Sequence, residues 1–339
     1  MAKVTNAFTT YQATGNREDL SNAIYNIDPF DTPVMSAIRR RNVKNRIFDW
    51  QTENLPTVAP AYPTAGYNAQ FEGFQLSNAL STPTIRQNNV TQISERDATV
   101  SGTQEEADAA GKGSEMAHQM AITSKALKSD METSICSRQQ RIDGSDTVAR
   151  VSEGFAHWVG RVATPRTGQA AGAGGAVAGV TAGLPTIQGS AVGDSTFAAV
   201  AGGSQIQVSE AMLGLAMQNA YTNGASPSLW IVPPGPKRTI STFVGRSTTQ
   251  VLVGKNEVVS TIDVIATDFG RIKVAPSRWV PPDVGLLIDP DYAAVAYFRA
   301  FRQYLMARVG DAETRMLVVE FGLEMRNAAA HILFNGVKA

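Results

Sequence analysis

Between Thr103 and Ile142 the chain runs without proline, and its larger apolar residues Met116, Met120, Leu127, Met131, Ile135 and Ile142 recur at spacings of four and seven. That is the period of one face of a helix. Thr103 with Glu106 has the capping-box pattern, and Asp143-Gly144 supplies a left-handed stop. A single helix over this stretch would be a rod roughly 60 Å long, at about 1.5 Å per residue. A compact domain rarely uses a rod of that length, and the flanking segments carry little core of their own. The expectation is a subunit that completes its packing within an assembly.

The 339 residues suffice for two ordinary domains, and 43% hydrophobic content is enough to build a core. Thirty basic and thirty acidic side chains cancel. The molecule as a whole therefore lacks the counterion-release drive of a basic nucleic-acid binder, and any contact with DNA must be local. The single cysteine, Cys136, cannot close an internal disulfide and reads as a small packed apolar group on the helix face. The N-terminus lacks an apolar signal core, and no run of about eighteen apolar residues occurs, so the expectation is a cytosolic chain that does not enter a membrane.

Along the chain, residues 1–16 read as a polar arm and Arg17 to Tyr25 as a short helix. Thr32 and Pro33 place an N-cap and a proline at the start of a second helix that runs into Arg39, Arg40 and Arg41. Ile47 to Gln51 alternates as a strand, and a partner strand fits Thr84 to Val100. Between them, Glu53 to Pro83 holds Pro56, Pro60 and Pro63 and the aromatics Tyr62, Tyr67, Phe71 and Phe74 in no helical order. A loop of that length has no core for its rings, so a neighbouring subunit is expected to cover them.

Ala170 to Gly203 is a glycine- and alanine-rich insertion. Ser209 then caps a helix through Tyr221, which stops at Asn223-Gly224. Leu229 to Val232 reads as a strand buried on both faces, and a short helix follows to Val244. A hairpin over Val258 to Ala275 turns at Asp268-Phe269-Gly270, and Leu286 to Ile288 gives another buried strand. Ala293 to Val309 and Thr314 to Arg326 read as long strands. The pattern is α+β with two cores.

Signals for chemistry are weak. Gly172 to Val177 imitates a dinucleotide loop without its third glycine, and Gly254-Lys255 lacks the residues of a phosphate-binding loop. Asp268-Phe269-Gly270 has no catalytic loop to accompany it and reads as a turn. His118, His157 and His331 are scattered, so Cys136 reads as a packed thiol and His157 as a surface imidazole. Asp289 and Asp291 read as a proline turn with solvated acids. No catalytic residue, metal ligand or cofactor is implied, and the chain is not expected to be an enzyme.

The order of elements is arm, helix, strand, long loop, strand, very long helix, mixed α/β unit and terminal long strands. With the local motifs Gly15 to Leu20, Ile27 to Pro33, Leu229 to Val232 and Val309-Gly310-Asp311, the chain resembles the major capsid proteins of tailed bacteriophages, the Hong-Kong-97-type capsid fold. The resemblance implies an N-terminal arm and short helices (1–46), an extended β-hairpin loop (47–100), and a peripheral domain whose long spine helix is followed by the insertion (101–203). It further implies an axial α/β domain (204–290) and strands returning to the peripheral sheet (291–339). Hexamers and pentamers would then close an icosahedral head around double-stranded DNA in a virion assembled in the host cytoplasm. Tyr62, Tyr67, Phe71 and Phe74 would be interface residues.

The short arm implies a separate scaffold or unaided assembly, beside portal and cement proteins as further partners. No lysine occurs between Lys44 and Lys112, so the isopeptide weld made from a loop lysine in some members is not expected. The basic run Arg39, Arg40, Arg41, Lys44 and Arg46 would either neutralise packaged DNA without reading its sequence or form a solvated helix end facing acids of a neighbour. Arg299, Arg302, Arg308 and Arg315, near Glu313, Glu320 and Glu324, are expected to make cross-strand and intersubunit pairs. The rival readings are an encapsulin-like shell around a protein cargo and an α/β nucleotide-binding enzyme built on residues 204–290.

Overall fold

Proline at the first helical position costs no hydrogen bond, because the N–H it lacks would have been unpaired there. In the computed structural model, which describes residues 31–53, 72–73, 84–107, 111–160, 207–222, 224–243, 263–308 and 310–338, helix α1 accordingly spans Pro33–Ala37. It does not run into the arginines as expected: Arg39–Asn42 form strand β1. β1 lies parallel to β9 (Ala293–Leu305), with Arg39 opposite Ala294 and Asn42 opposite Tyr297. The backbone of Arg39 to Asn42 is claimed by a partner far along the chain, which local propensity does not reveal.

Strand β2 (Ile47–Thr52) alternates as its sequence predicts, burying Phe48 and Trp50. Its antiparallel partner is β3 (Ile85–Val90). The expected single strand over 84–100 is divided at buried Thr91, after which β4 (Gln92–Ser101) joins a different sheet. Of the long loop only Glu53, Glu72 and Gly73 are described, so the reading of Tyr62, Tyr67, Phe71 and Phe74 lies outside the described residues. The same holds for the arm over 1–16, the helix over 17–25, the insertion at 170–203 and the Gly254-Lys255 motif.

The rod is shorter than its periodicity predicts. A short helix α2 (Gly102–Glu106) is capped by Ser101, whose hydroxyl accepts from the Gln104 N–H, and not by Thr103. The main helix α3 spans Glu115–Cys136, roughly 33 Å at about 1.5 Å per residue. Gly111 (φ +75°) and Gly113 interrupt the run, and the Ser114 hydroxyl caps the restart by accepting from the Ala117 N–H. Glu105 fastens the two pieces, accepting from Ser114 Oγ at 2.6 Å and the Met116 N–H at 2.9 Å. These bonds hold its carboxyl below the ordinary range. The apolar stripe is real within α3, where Met116, Leu127, Met131 and Ile135 are buried, but Ile142 lies beyond it in an isolated bridge to Val151. Gly144 (φ +75°) turns the chain next to that bridge and does not end the helix.

Helix α4 (Phe155–Gly160) is buried from Phe155 to Val159, helix α5 spans Glu210–Thr222, strand β5 Leu229–Val232 and helix α6 Pro234–Ile240. Strands β6 (Val264–Thr267) and β7 (Gly270–Pro276) form the expected hairpin, β8 spans Val284–Ile288, β10 Ala312–Met325 and β11 Ile332–Asn335. One sheet has the order β1-β9-β10-β4 and carries α3 against β4 and β10. A second has the order β11-β8-β5-β7-β6. Residues 291–339 therefore do not all return to one sheet, because β11 pairs with β8 in the second.

Alternation along the second sheet explains its continuous apolar runs. Ile231, Leu286, Ile288 and Leu333 point into a core shared with α3, α4 and the first sheet, where Phe155, Trp158, Phe321 and Leu323 lie. Trp230, Val232, Leu287 and Phe334 point into another core under α5 with Leu213 and Met217. Both faces are dry, so each strand is apolar throughout. At Gly322, an added Cβ would lie 2.8 Å from Phe48 Cε1 and from the Val90 carbonyl oxygen, so the absence of a side chain lets β2 and β3 close over β10. Among the described residues no helix is long and apolar enough to cross a membrane.

Candidate assembly surfaces

β9 and β10 form a long antiparallel pair, with Leu305 opposite Arg315 at one end and Ala293 opposite Met325 at the other. The body covers only part of it. Ala293 to Ala296 and Leu317 to Met325 are buried, whereas from Arg302 onward β9 is exposed at every position and residues 312–316 of β10 are half-buried. Leu305 at the end of the ribbon is 68% exposed, with Tyr304 and Met306 beside it at 40% and 44%. At that end β9 is the edge strand, because β1 pairs only with Ala294 to Tyr297 while β10 is flanked on its other side by β4, so the exposed side chains of β9 have no strand beyond them.

The charges predicted for intersubunit contact are largely used inside the subunit. Glu320 is 1% exposed and accepts from Thr91 Oγ1 (2.7 Å), Arg150 Nη2 (2.8 Å) and Arg299 Nε (2.7 Å). Glu324, 2% exposed, pairs with Arg41 at 2.6 Å and Arg326 at 3.1 Å. Neither carboxylate is presented to a neighbour, a correction that follows from their burial beneath the subunit's own arginines. The Arg299–Glu320 pair is cross-strand, as expected. On the ribbon, half-buried Glu313 pairs with Arg315 at 2.7 Å and Arg308 at 3.8 Å, while Arg302 is exposed.

The basic run is brought to one edge of the first sheet, with Arg39, Arg40, Arg41, Lys44 and Arg46 all exposed. Arg39 is paired with Asp291 at 2.6 Å and Arg41 with Glu324, so two of the charges are answered by the subunit's own acids. Arg40 acts on Tyr297, whose hydroxyl is pushed up by burial and drawn partly back by the guanidinium. Among the described residues, Arg40, Lys44 and Arg46 make no ion pair.

The groups with chemical potential lie apart from any open surface. Cys136 is fully buried, and burial pushes its thiol well above its ordinary value. His157 is not a surface imidazole: it is 3% exposed on α4, with Nδ1 2.8 Å from Glu153 Oε1. His331 is fully buried, accepts the Asp289 N–H at Nδ1 (3.2 Å) and meets the ring of Phe155 edge-on at 5.0 Å. Asp289 caps the following turn by accepting the Asp291 N–H. Among the described residues no cluster of His, Cys, Asp and Glu is disposed to hold a metal ion.

Two buried arrangements escape the sequence reading. Arg138, just past α3, reaches Asp283 at 2.7 Å and Asn335 Oδ1 at 2.8 Å, tying the helix end to the second sheet. Glu132 on α3, with no exposure, accepts the N–H groups of Val34 at 2.7 Å and Met35 at 2.9 Å. Its only sequence signal is position: it directly follows Met131 and is one helical turn before Cys136, on the apolar side of the helix.

The architecture is shared with capsid subunits of several phages. A capsid structure of the cyanophage P-SCSP1u superposes with a TM-score of 0.61 over 99% of this chain and 97% of that one, at 10% identity. A chain of Microbacterium phage Oxtober96 gives 0.58 over 96% of both, at 9% identity. The SrpI encapsulin of Synechococcus elongatus gives 0.53 over 95% of this chain and 92% of that one, at 10% identity, so the fold alone does not separate a phage head from an encapsulin. In sequence, the major capsid protein of Escherichia phage Phieco32 is 32% identical over 136 residues, which is 40% of this chain and 37% of that relative. The model of the SU10 major capsid protein family matches residues 3–338. The match covers this chain almost end to end, and the chain belongs to the SU10 major capsid protein family.

Proposed function

We propose that this protein is the shell subunit of a phage head, assembling with copies of itself into hexamers and pentamers that enclose double-stranded DNA. The observation that carries the reading is the uncovered ribbon bearing Tyr304, Leu305 and Met306 at the end of a sheet otherwise well packed. Heterologous contacts between identical subunits close into rings when the rotation permits, and the ribbon offers a patch that one copy can insert against another. The aromatic loop supplies a second such patch on sequence grounds, through Tyr62, Tyr67, Phe71 and Phe74.

If each subunit removes on the order of 1,000 Å² from water, area at about 25 cal/mol/Å² gives tens of kcal/mol before association entropy and desolvation are subtracted. In this reading the first sheet with α3 is the peripheral unit and residues 204–290 with β11 the axial one. Arg40, Lys44 and Arg46 are the basic residues left to meet DNA, in a sequence-independent contact. The shell is held non-covalently, with scaffold, portal and cement proteins as partners, and the role is structural and not enzymatic. Electron microscopy of the purified protein tests this: closed isometric particles with encapsidated DNA support it, and closed particles around a protein cargo support an encapsulin instead.

A further inference from the structure

Helix α1 is short of caps at its N-terminus. Pro33 has no N–H, and the Thr32 side chain, expected from the sequence to cap the helix, makes no capping hydrogen bond. The first two N–H groups of the helix, those of Val34 and Met35, are both buried and would be orphaned. Glu132 answers both, one with each carboxylate oxygen, from the middle of α3. An ionised carboxylate has acceptor capacity at both oxygens, whereas a protonated one carries a hydroxyl on one of them. Only the ionised form serves both N–H groups well.

The surroundings oppose that form. Burial pushes the Glu132 carboxyl up from 4.5 to about 7, the two N–H groups pull against it, and Asp31, at the approach to α1, pushes further in the same direction. Cys136, one turn along α3, is the other titratable group that interacts with it, and it supplies no positive charge. Arg278 engages Asp31, at 3.4 Å, and not Glu132. Trp279 Nε1 also donates to the Asp31 carbonyl at 2.7 Å, so the stretch before α1 is held by the second half of the chain while α1 itself is held by Glu132.

We propose that Glu132 is a pH-gated latch: its ionised carboxylate fastens α1 to α3, and its protonation loosens the seat of α1 and of the segment that enters it. The device is independent of whether the subunit closes into a DNA-filled head. It acts around neutral pH, since burial holds the carboxyl at about 7. Loosening that removes the two N–H groups while Glu132 stays buried removes the pull that lowers it, so protonation favours the loosened seat; full unfolding, which returns the carboxyl to water, has the opposite sign.

Hydrogen exchange read by mass spectrometry on the full chain, at pH 8 and pH 6 and corrected for intrinsic exchange rates, tests the latch. Amides over 34–38 should lose protection by roughly tenfold at the lower pH, following the ionised fraction, while those of α5 change little. Glu132→Gln should show the low protection at both values. If that variant does not fold, a titration of the wild type with a midpoint near pH 7 confined to 34–38 carries the same information. Protection over 34–38 that is independent of pH, a change spread evenly over α5 as well, or an unchanged pH response in Glu132→Gln would overturn the proposal.

Discussion

Glu132 and His331 are buried titratable groups whose environments push them in directions that oppose each other in stability. His331 is brought down from 6.5 to about 3 because burial disfavours its charge. Folding keeps it neutral, so its contribution is complete above pH 6.5 and is lost as pH falls toward 3, at up to about 1.4 kcal/mol per unit. Glu132 has the reverse sign. With its folded value raised to about 7, its contribution to global stability is complete below 4.5 and is lost as pH rises to about 7. Between 4.5 and 6.5 the two slopes offset one another. In His331→Asn, which does not titrate, the compensation disappears, and the melting temperature should fall as pH rises through that window. Parallel melting profiles for variant and wild type would contradict this. Neither environment is visible in the sequence, where a lone His and a Glu beside a helix stripe look like surface residues; only the distant partners Asp289, Phe155, Val34 and Met35 give them their character.

At the scale of elements, the pattern was legible wherever burial runs regularly along the element, on one face or on both. The stripe of α3, the alternation of β2 and β10 and the apolar runs of β5 and β8 all follow that rule. What the sequence hid are the points where tertiary partners decide. The proline-free run crosses the gap between α2 and α3, but Gly111 in a left-handed conformation and Ser114 as a cap break the helix, and Glu105 stabilises the broken form. Thr91 divides the expected strand because its hydroxyl is drawn to buried Glu320, a residue remote in sequence. Arg39 to Asn42 become a strand only through β9. The break is testable: Gly111→Ala, forced into positive φ, should cost about 1 kcal/mol. Gly113→Ala, with open space for its Cβ, should change stability by less than about 0.5 kcal/mol. Denaturant midpoints compare the two, and equal effects would mean that Gly111 does not set the break.

For the molecule as a whole, two cores share the second sheet, and the buried helix α4 and the Arg138–Asp283 pair fix the first sheet and α3 against it. The sequence order conveyed this architecture well, since the succession of the elements that were readable was distinctive, although β1 was read as helix and α4 and β11 were not read at all. The assembly surfaces were less readable, because Glu320 and Glu324 look like surface charges until their burial is known, and the exposure of Tyr304, Leu305 and Met306 depends on where the body stops covering β9. The most direct measurement is electron microscopy of the wild type beside Leu305→Asp/Met306→Asp, with circular dichroism to verify that both are folded. Closed particles from the wild type and only small folded species from the variant are the predicted result; a wild type that stays monomeric at high concentration, or a variant that closes into the same particles, would contradict it.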